Sequence, residues 1–359
     1  MTASHDPADG VPTGGRTLAF LVGFFTLMLG GLFLLPTPPA ESTPAGGETG
    51  AGDAEVGSTF AFTDVRAFDG ERMRDGVDLL VKDGRVAAFG PDLEIPADAT
   101  LLEAAGQTVM PGLIDAHVHA WGTARRDAVR FGVTTMLDQF TATEEVRLAR
   151  EDRDAGGAVD RADLFSAGIL ATVAGGHGTQ FGLAVDTVDT VDEAPGWVKA
   201  RLAEGSDWIK IVVEPGWGDG IDTLDSPRVQ ALIDAAHGQG ALAVVHVSRL
   251  DDALEVAQMG ADGLVHVWGD RIPTAAEVQV FVDAGLFVIP TLVVAEGMSD
   301  PAPSMAMAEG PWGERLSDAQ RASLEQRFPP AASRPMDVPK ESVRRLFEAG
   351  VPILAGSDA

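Results

Sequence analysis

The sequence predicts an α/β protein: a TIM-like (β/α)8 barrel behind a small N-terminal β domain, with a transmembrane helix ahead of both. Three observations carry this expectation. After Pro111, eight short β-rich runs recur, usually with a stretch of helical period between them: GLIDAHVHA, VTTMLDQF, DLFSAGIL, DWIKIVVE, LAVVHVS, GLVHVW, LFVIPTLVV and VPILAGSDA. Strands alternating with helices imply parallel pairing, and eight of them imply a barrel. Between Thr59 and Ala105, alternating runs are separated by Asp69-Gly70 and Asp83-Gly84, which reads as antiparallel strands joined by hairpins. Finally, Thr17 to Leu35 is nineteen residues without a charge, and a helix rising about 1.5 Å per residue over that length spans the hydrocarbon core of a bilayer.

In chain order, residues 1–16 form a cytoplasmic tail and 17–35 the transmembrane or signal segment. The apolar run exceeds the roughly 7 to 15 residues of a secretory signal, and Thr43-Pro44-Ala45 is a poor cleavage site, which favours an uncleaved anchor. Arg16 on one flank, with Glu41, Glu48 and Asp53 on the other, places the catalytic part outside the cytoplasm. Residues 36–56, PTPPAESTPAGGETGAGDAEV, hold too few large apolar side chains to repay ordering and read as a flexible tether. Residues 57–105 form the small, partial β domain and 106–359 the barrel. Within the barrel, Ser226 to His237 is a clear helix, with Ser226 as N-cap, Pro227 at the first helical position and one apolar face.

Composition narrows the function. The 359 residues hold 26 basic against 54 acidic side chains, a formal charge of −28, and no cysteine. Disulfide scaffolds, thiol nucleophiles and cysteine-ligated metals are excluded. So is nucleic acid as a partner, because it repels so acidic a chain. What remains is a small-molecule substrate, a membrane contact through the N-terminal helix, and an oligomeric state left open.

The chemistry is carried by histidines, of which there are seven. His117 and His119 stand two apart at the carboxyl end of the first barrel strand, where a strand's period of two turns both imidazoles to one face. His246 ends the fifth strand and His266 the sixth. In a barrel these ends ring the catalytic mouth, so ligands distant in sequence converge there. Lys210, one of only four lysines, lies inside the apolar strand WIKIVVE, where an ammonium pays a large desolvation cost. Two readings are open: an ion pair with Glu214 or Asp358, or an amine of depressed pKa that takes up carbon dioxide as a carbamate bridging two metals. Asp358 ends the eighth strand, where a carboxylate can ligate a metal and accept the proton of its water. Asp115 faces the same side deeper in the barrel and reads as structural.

The motifs PGLIDAHVH, WIKI, VVHVS, LVHVWGD and ILAGSDA resemble the amidohydrolase superfamily, and within it the imidazolonepropionase-related branch with prolidase-like dipeptidases, from about Gly57 to Ala359. The resemblance implies a metal-dependent barrel hydrolysing amide or related bonds of small molecules. It implies His117, His119 and Asp358 on one divalent metal, His246 and His266 on a second, and a carbamylated Lys210 with a hydroxide between them. Zinc is the default for such ligands. Asp358 would be the catalytic proton carrier. His177, in the loop AGGHGTQFG, is a candidate to touch the substrate carbonyl or carboxylate. Arg249 and Arg271 are candidate carboxylate clamps or else solvated or interhelical cations, and Trp217 and Trp268 are candidate pocket walls or packing residues. Family members continue past the eighth strand into a last helix and further β strands, so the barrel is expected without its last helix, and an inactive fragment is one alternative. A second is a mononuclear imidazolonepropionase-like ring hydrolase. A deaminase is disfavoured because Val247 to Asp251 contain no glutamate. Proline dipeptides, N-acyl amino acids and small lactams all remain open as substrates.

Overall fold

The computed structural model describes residues 59–104, 106–216, 220–299, 306, 308–311, 313–325 and 336–358. The tail, the apolar run 17–35 and the tether lie outside these residues. Among the described residues no helix is long and apolar enough to cross a membrane. The expectation of a membrane-anchored, extracytoplasmic protein is corrected accordingly and is not carried further.

The chain divides into two compact units, with residues 59–67 and Arg72–Val109 in the first and Phe68–Glu71 and the residues from Met110 onward in the second. The first unit is a five-stranded sheet of β1 (Phe60–Phe68), β2 (Met73–Lys82), β3 (Arg85–Gly90), β4 (Thr100–Leu102) and β5 (Thr108–Val109). β2 and β3 are antiparallel, joined through Asp83 and Gly84 at φ 50° and 70°, the positive values a two-residue hairpin needs. Ala61, Val65 and Ala67 are buried along β1 with a period of two. The expectation of antiparallel pairing throughout is corrected here, because β4 and β5 both pair with β1 in parallel. A hairpin leaves a local Asp-Gly signal, whereas a parallel return is made by a longer connection that leaves none.

The second unit is a ring of parallel strands. β6 (Leu113–Val118), β7 (Val133–Asp138) and β8 (Asp163–Ser166) form one sheet; β9 (Ile209–Val213), β10 (Ala243–Val247), β11 (Gly263–Val265) and β12 (Phe287–Ile289) form another. Two single bridges join them around the circle. Ala171 pairs with Ile211 on one side, and on the other Val288 pairs with Ile353 of the eighth segment. That segment then returns to β6, since the Ala116 N–H donates to the Ala355 carbonyl at 2.8 Å and the Asp358 N–H to the His117 carbonyl at 2.7 Å. The ring is therefore closed by backbone hydrogen bonds through all eight runs foreseen in the sequence.

Helices fill the intervals: α1 (Ala124–Arg130), α2 (Thr143–Asp154), α3 (Ala194–Glu204), α4 (Ser226–Gly238), α5 (Leu250–Gln258) and α6 (Ala275–Ala284), then α7 (Leu292–Ser299), α8 (Asp318–Glu325) and α9 (Asp337–Glu348) before the eighth segment. α6 opens on a capping box in which Thr274 and Glu277 satisfy each other's backbone N–H groups, and closes on Gly285 at φ 68°. α4 differs slightly from expectation. Its N-cap is Asp225, which accepts the Arg228 N–H at 3.2 Å, while the Ser226 hydroxyl donates to Glu255 at 2.5 Å. β9 and β10 are buried at every position, as strands covered on both faces must be.

One apolar cluster, Ala116, Ala167, Trp208, Val244, Val265 and Ile289, is drawn from six runs of the ring. Two residues beyond Trp208 and Val244, on the same strand face, come Lys210 and His246. The polar centre thus continues a packed layer. Packing is tight where the eighth segment meets β6: a Cβ on Gly356 would lie 2.6 Å from Ile289 Cγ2 and 2.8 Å from His117 Cβ. Gly356→Ala is expected to cost about 1–3 kcal/mol of stability by overpacking, read as a lower urea midpoint with an unchanged slope; an unchanged midpoint would contradict this register.

Candidate metal centre

The ring closure delivers Asp358 to the two histidines of β6. Asp115 is the latch: its Oδ1 accepts the N–H groups of His117 at 3.1 Å and Ser357 at 3.0 Å, and its Oδ2 accepts the Ser357 hydroxyl at 2.5 Å. Asp358 Oδ1 then stands 3.0 Å from His117 Nε2 and 3.1 Å from His119 Nε2. His266, at the end of β11, brings Nδ1 to 4.0 Å from Asp358 Oδ2, and its ring centre is 4.9 Å from that of His117. His117, His266 and Asp358 each offer a donor atom within 4.8 Å of the others, close enough to share one metal ion.

His246 lies beside this group, its ring centre 4.4 Å from His266, but its Nε2 is hydrogen-bonded to Glu214 Oε2 at 3.2 Å. His177 turns inward from its glycine-rich loop to within 4.9 Å, centre to centre, of His246. Lys210 is buried. Among the described residues it makes no ion pair with Glu214 or Asp358, because Glu214 holds His246 and Asp358 holds the histidines of β6. Asp358 and Asp138 nevertheless both act on the charge of its amine. Of the expected groupings, the structure brings His117, His119 and His266 to the Asp358 carboxylate and sets His246 and His177 alongside.

Burial decides the charge states. It pushes His117 down to about 4, with Lys210 adding to the effect, and holds His177, His246 and His266 below the usual imidazole range. These rings are neutral and can act as ligands. Burial also brings the Lys210 amine down to about 7, against the pull of Asp358 and Asp138. Asp358 is buried too, which alone would raise it, yet the hydrogen bonds from His117 and His119 keep its carboxyl well below the carboxylate range. His119 is desolvated but pushed up by Asp358, and its Nδ1 donates to the Phe140 carbonyl at 3.2 Å. That bond leaves Nε2 aimed at Asp358, the orientation a metal-binding histidine takes.

A divalent ion fits this donor set. Neutral imidazoles with an ionised carboxylate are its usual ligands, and His117 Nδ1 is a buried nitrogen without a hydrogen-bond partner among the described residues.

Sequence reasoning missed two supporting residues, Asp138 and Thr291, and gave a third, Glu214, a different partner. Asp138 ends β7, accepts the Ala120 N–H at 2.8 Å and the Ser166 hydroxyl at 2.5 Å, and is raised by burial to about 6. Its place at a strand's carboxyl end was a usable signal. Thr291 shares a hydrogen bond of 2.6 Å with His266 Nδ1, and Glu214 turns out to partner His246. His266, Thr291 and Asp358 all hold positive φ, 67°, 44° and 59°. Such values are rare without glycine and cluster at functional sites. No motif announces them.

The expected substrate contacts fare less well. Arg271 is bound to Asp251 at 2.6 Å and Glu277 at 2.8 Å, and Arg249 donates to the Gly216 carbonyl at 2.7 Å. Both clamp assignments are corrected, since these guanidiniums are engaged within the protein. Trp268 is wholly buried and stacked on Phe281 at 5.1 Å, so it is core and not a pocket wall. Trp217 lies outside the described residues.

No family model matches the chain. An uncharacterised protein of Mycobacterium tuberculosis is 28% identical over 270 residues, covering 71% of this chain and 65% of that protein. The chain thus spans about two thirds of the length of that relative. Among solved structures, an amidohydrolase superposes with a TM-score of 0.63 at 22% identity, over 84% of this chain and 78% of its own. A Xaa-Pro dipeptidase with methionine bound in its active site gives 0.62 at 20% identity, over 84% and 80%. The chain shares their α/β fold.

Proposed function

We propose that this chain is an amidohydrolase: a metal-dependent hydrolase that cleaves the C–N bond of a small amide or cyclic amide. The observation that carries this reading is the convergence of His117, His119, His266 and Asp358, from three separate runs of the ring, on one cluster at its carboxyl end. The amidohydrolase and the Xaa-Pro dipeptidase among the structural relatives agree with it.

In this reading His117, His119 and Asp358 would hold one divalent ion, most simply zinc, and His246 and His266 would hold a second, to which a carbamylated Lys210 would contribute. The ions supply activation of water near neutral pH and polarisation of the scissile carbonyl. Lys210, with an amine near pKa 7, is largely unprotonated at neutral pH and can add carbon dioxide, losing one proton as the N–C bond forms. Asp358, kept ionised, accepts a proton from the attacking water and returns it to the departing nitrogen. His177 faces the cluster from the opposite loop, where its neutral ring can donate to the substrate carbonyl. Asp115 and Thr291 hold the ligands in place.

One observation favours a second reading. His246 is held by Glu214, and the only three-ligand group among the described residues is His117, His266 and Asp358. That arrangement suits one ion, as in an imidazolonepropionase-like ring hydrolase. Metal analysis of the protein purified with zinc separates the two. Two equivalents are expected, one would establish the mononuclear form, and none, with no hydrolysis of any amide, would overturn the hydrolase.

A further inference from the structure

Beside the histidines lies an aromatic cluster to which the metal chemistry assigns no part. Phe140 is its floor. It follows Asp138 by two residues and is almost wholly buried. Trp121, two residues after His119, stands on one side with its ring centre 6.1 Å from that of Phe140 at 72°. Phe181 stands on the other, 6.2 Å away at 53°. These edge-on and tilted geometries are favourable for aromatic pairs, yet Trp121 and Phe181 remain 42% and 41% exposed. Two half-exposed rings braced on one buried ring form a wall, not scattered surface apolarity.

The wall is joined to the reactive centre. His119 lies 6.4 Å from Phe140, and His177 lies 5.7 Å from Phe181, both edge to face. Its far side is held rigid. Phe181 ends a 3-10 turn, Thr179–Phe181, set between Gly178 at φ 106° and Gly182 at φ 81°. A Cβ on Gly178 would sit 2.6 Å from Leu170, and the Gly178 N–H is fixed on Gln180 at 2.7 Å. The loop therefore presents His177 and Phe181 as one preformed piece.

The chemistry of the occupant follows. Arg249 and Arg271 are both engaged within the protein, so the aromatic rings and not a guanidinium set the preference at this face. A flat aromatic ring suits such half-exposed faces, which adjoin the imidazoles of His119 and His177. We infer that Trp121, Phe140 and Phe181 form a specificity subsite for an aromatic group beside the scissile amide. The inference rests on the hydrolase reading for its amide, but the subsite can be tested without catalysis.

The test measures binding of phenylacetamide, acetamide and succinamate to the full-length protein by ligand-observed NMR, with and without added zinc. Phenylacetamide is expected to bind at least tenfold more tightly than either of the others, and that preference should fall below threefold in both Phe181→Ala and Trp121→Ala. Phe181→Trp should restore it, which excludes a folding defect as its cause. Equal affinity for the three amides in the wild type, or an undiminished preference in both alanine variants, overturns the subsite. If the preference depends on the walls while no zinc binds and no amide is cleaved, the subsite stands and the hydrolase reading alone fails. If amides are cleaved without aromatic preference, the reverse holds.

Discussion

Replacing Asp358 by asparagine is expected to lower kcat/KM on any amide the protein cleaves by about a thousandfold, the middle of the range for a positioned general acid–base. Asparagine keeps the shape of the side chain and can still meet one imidazole. It cannot take a proton from water or carry the charge that His117 and His119 now stabilise. Because Asp358 is also a proposed ligand, the variant should bind zinc more weakly, so metal content and rate must be measured on the same preparation. A rate that stays low when excess zinc restores occupancy assigns the proton transfer to Asp358. A rate that recovers with the metal reduces Asp358 to a ligand, and an unaffected rate removes it from the site. Its fold should survive, because the segment is held through backbone bonds from Ala355 and Asp358 to β6 and through the Asp115 latch to Ser357.

That latch shows why the ring was legible in the sequence. Each strand announced itself by a short apolar run, and the ligands by being scarce polar residues at the ends of such runs. His117, His119, His266 and Asp358 could be placed because a strand's alternation and a barrel's common carboxyl mouth leave them few other directions. The partners of these residues were harder. Glu214 could have met Lys210 or His246, and only the register of β9 on β10, with Val212 opposite His246 and Val213 opposite Val247, puts its carboxylate within reach of His246. Arg271 could be read as a substrate clamp or an interhelical cation, and only the packing of α5 against α6, which brings Asp251 and Glu277 to it, decides for the second. The parallel returns of β4 and β5 were hidden for a similar reason, since a crossover is specified by packing and not by turn residues. Left-handed backbone at His266, Thr291 and Asp358 left no trace, because none of these positions is glycine.

Lys210→Met carries the second large effect, and it separates two properties of the same buried amine. Methionine matches the length of the lysine stem, so packing around β9 should persist. What disappears is the nitrogen that would bear the carbamate. In the two-metal reading the variant retains at most one equivalent of zinc and loses about 10- to 100-fold in kcat/KM, the usual cost of a missing partner of a metal site. The wild type should also respond to its supply of carbon dioxide. Protein reconstituted with zinc in degassed buffer should be poorly active and recover with added bicarbonate, and Lys210→Met should not respond. The metal-free variant should meanwhile be no less stable than wild type, because burial already disfavours the ammonium enough to bring its pKa to about 7 and an apolar side chain there escapes that cost. Equal zinc content and equal bicarbonate-independent activity in both proteins would show that the amine neither bridges nor binds, leaving the cluster of His117, His266 and Asp358 to work with a single ion.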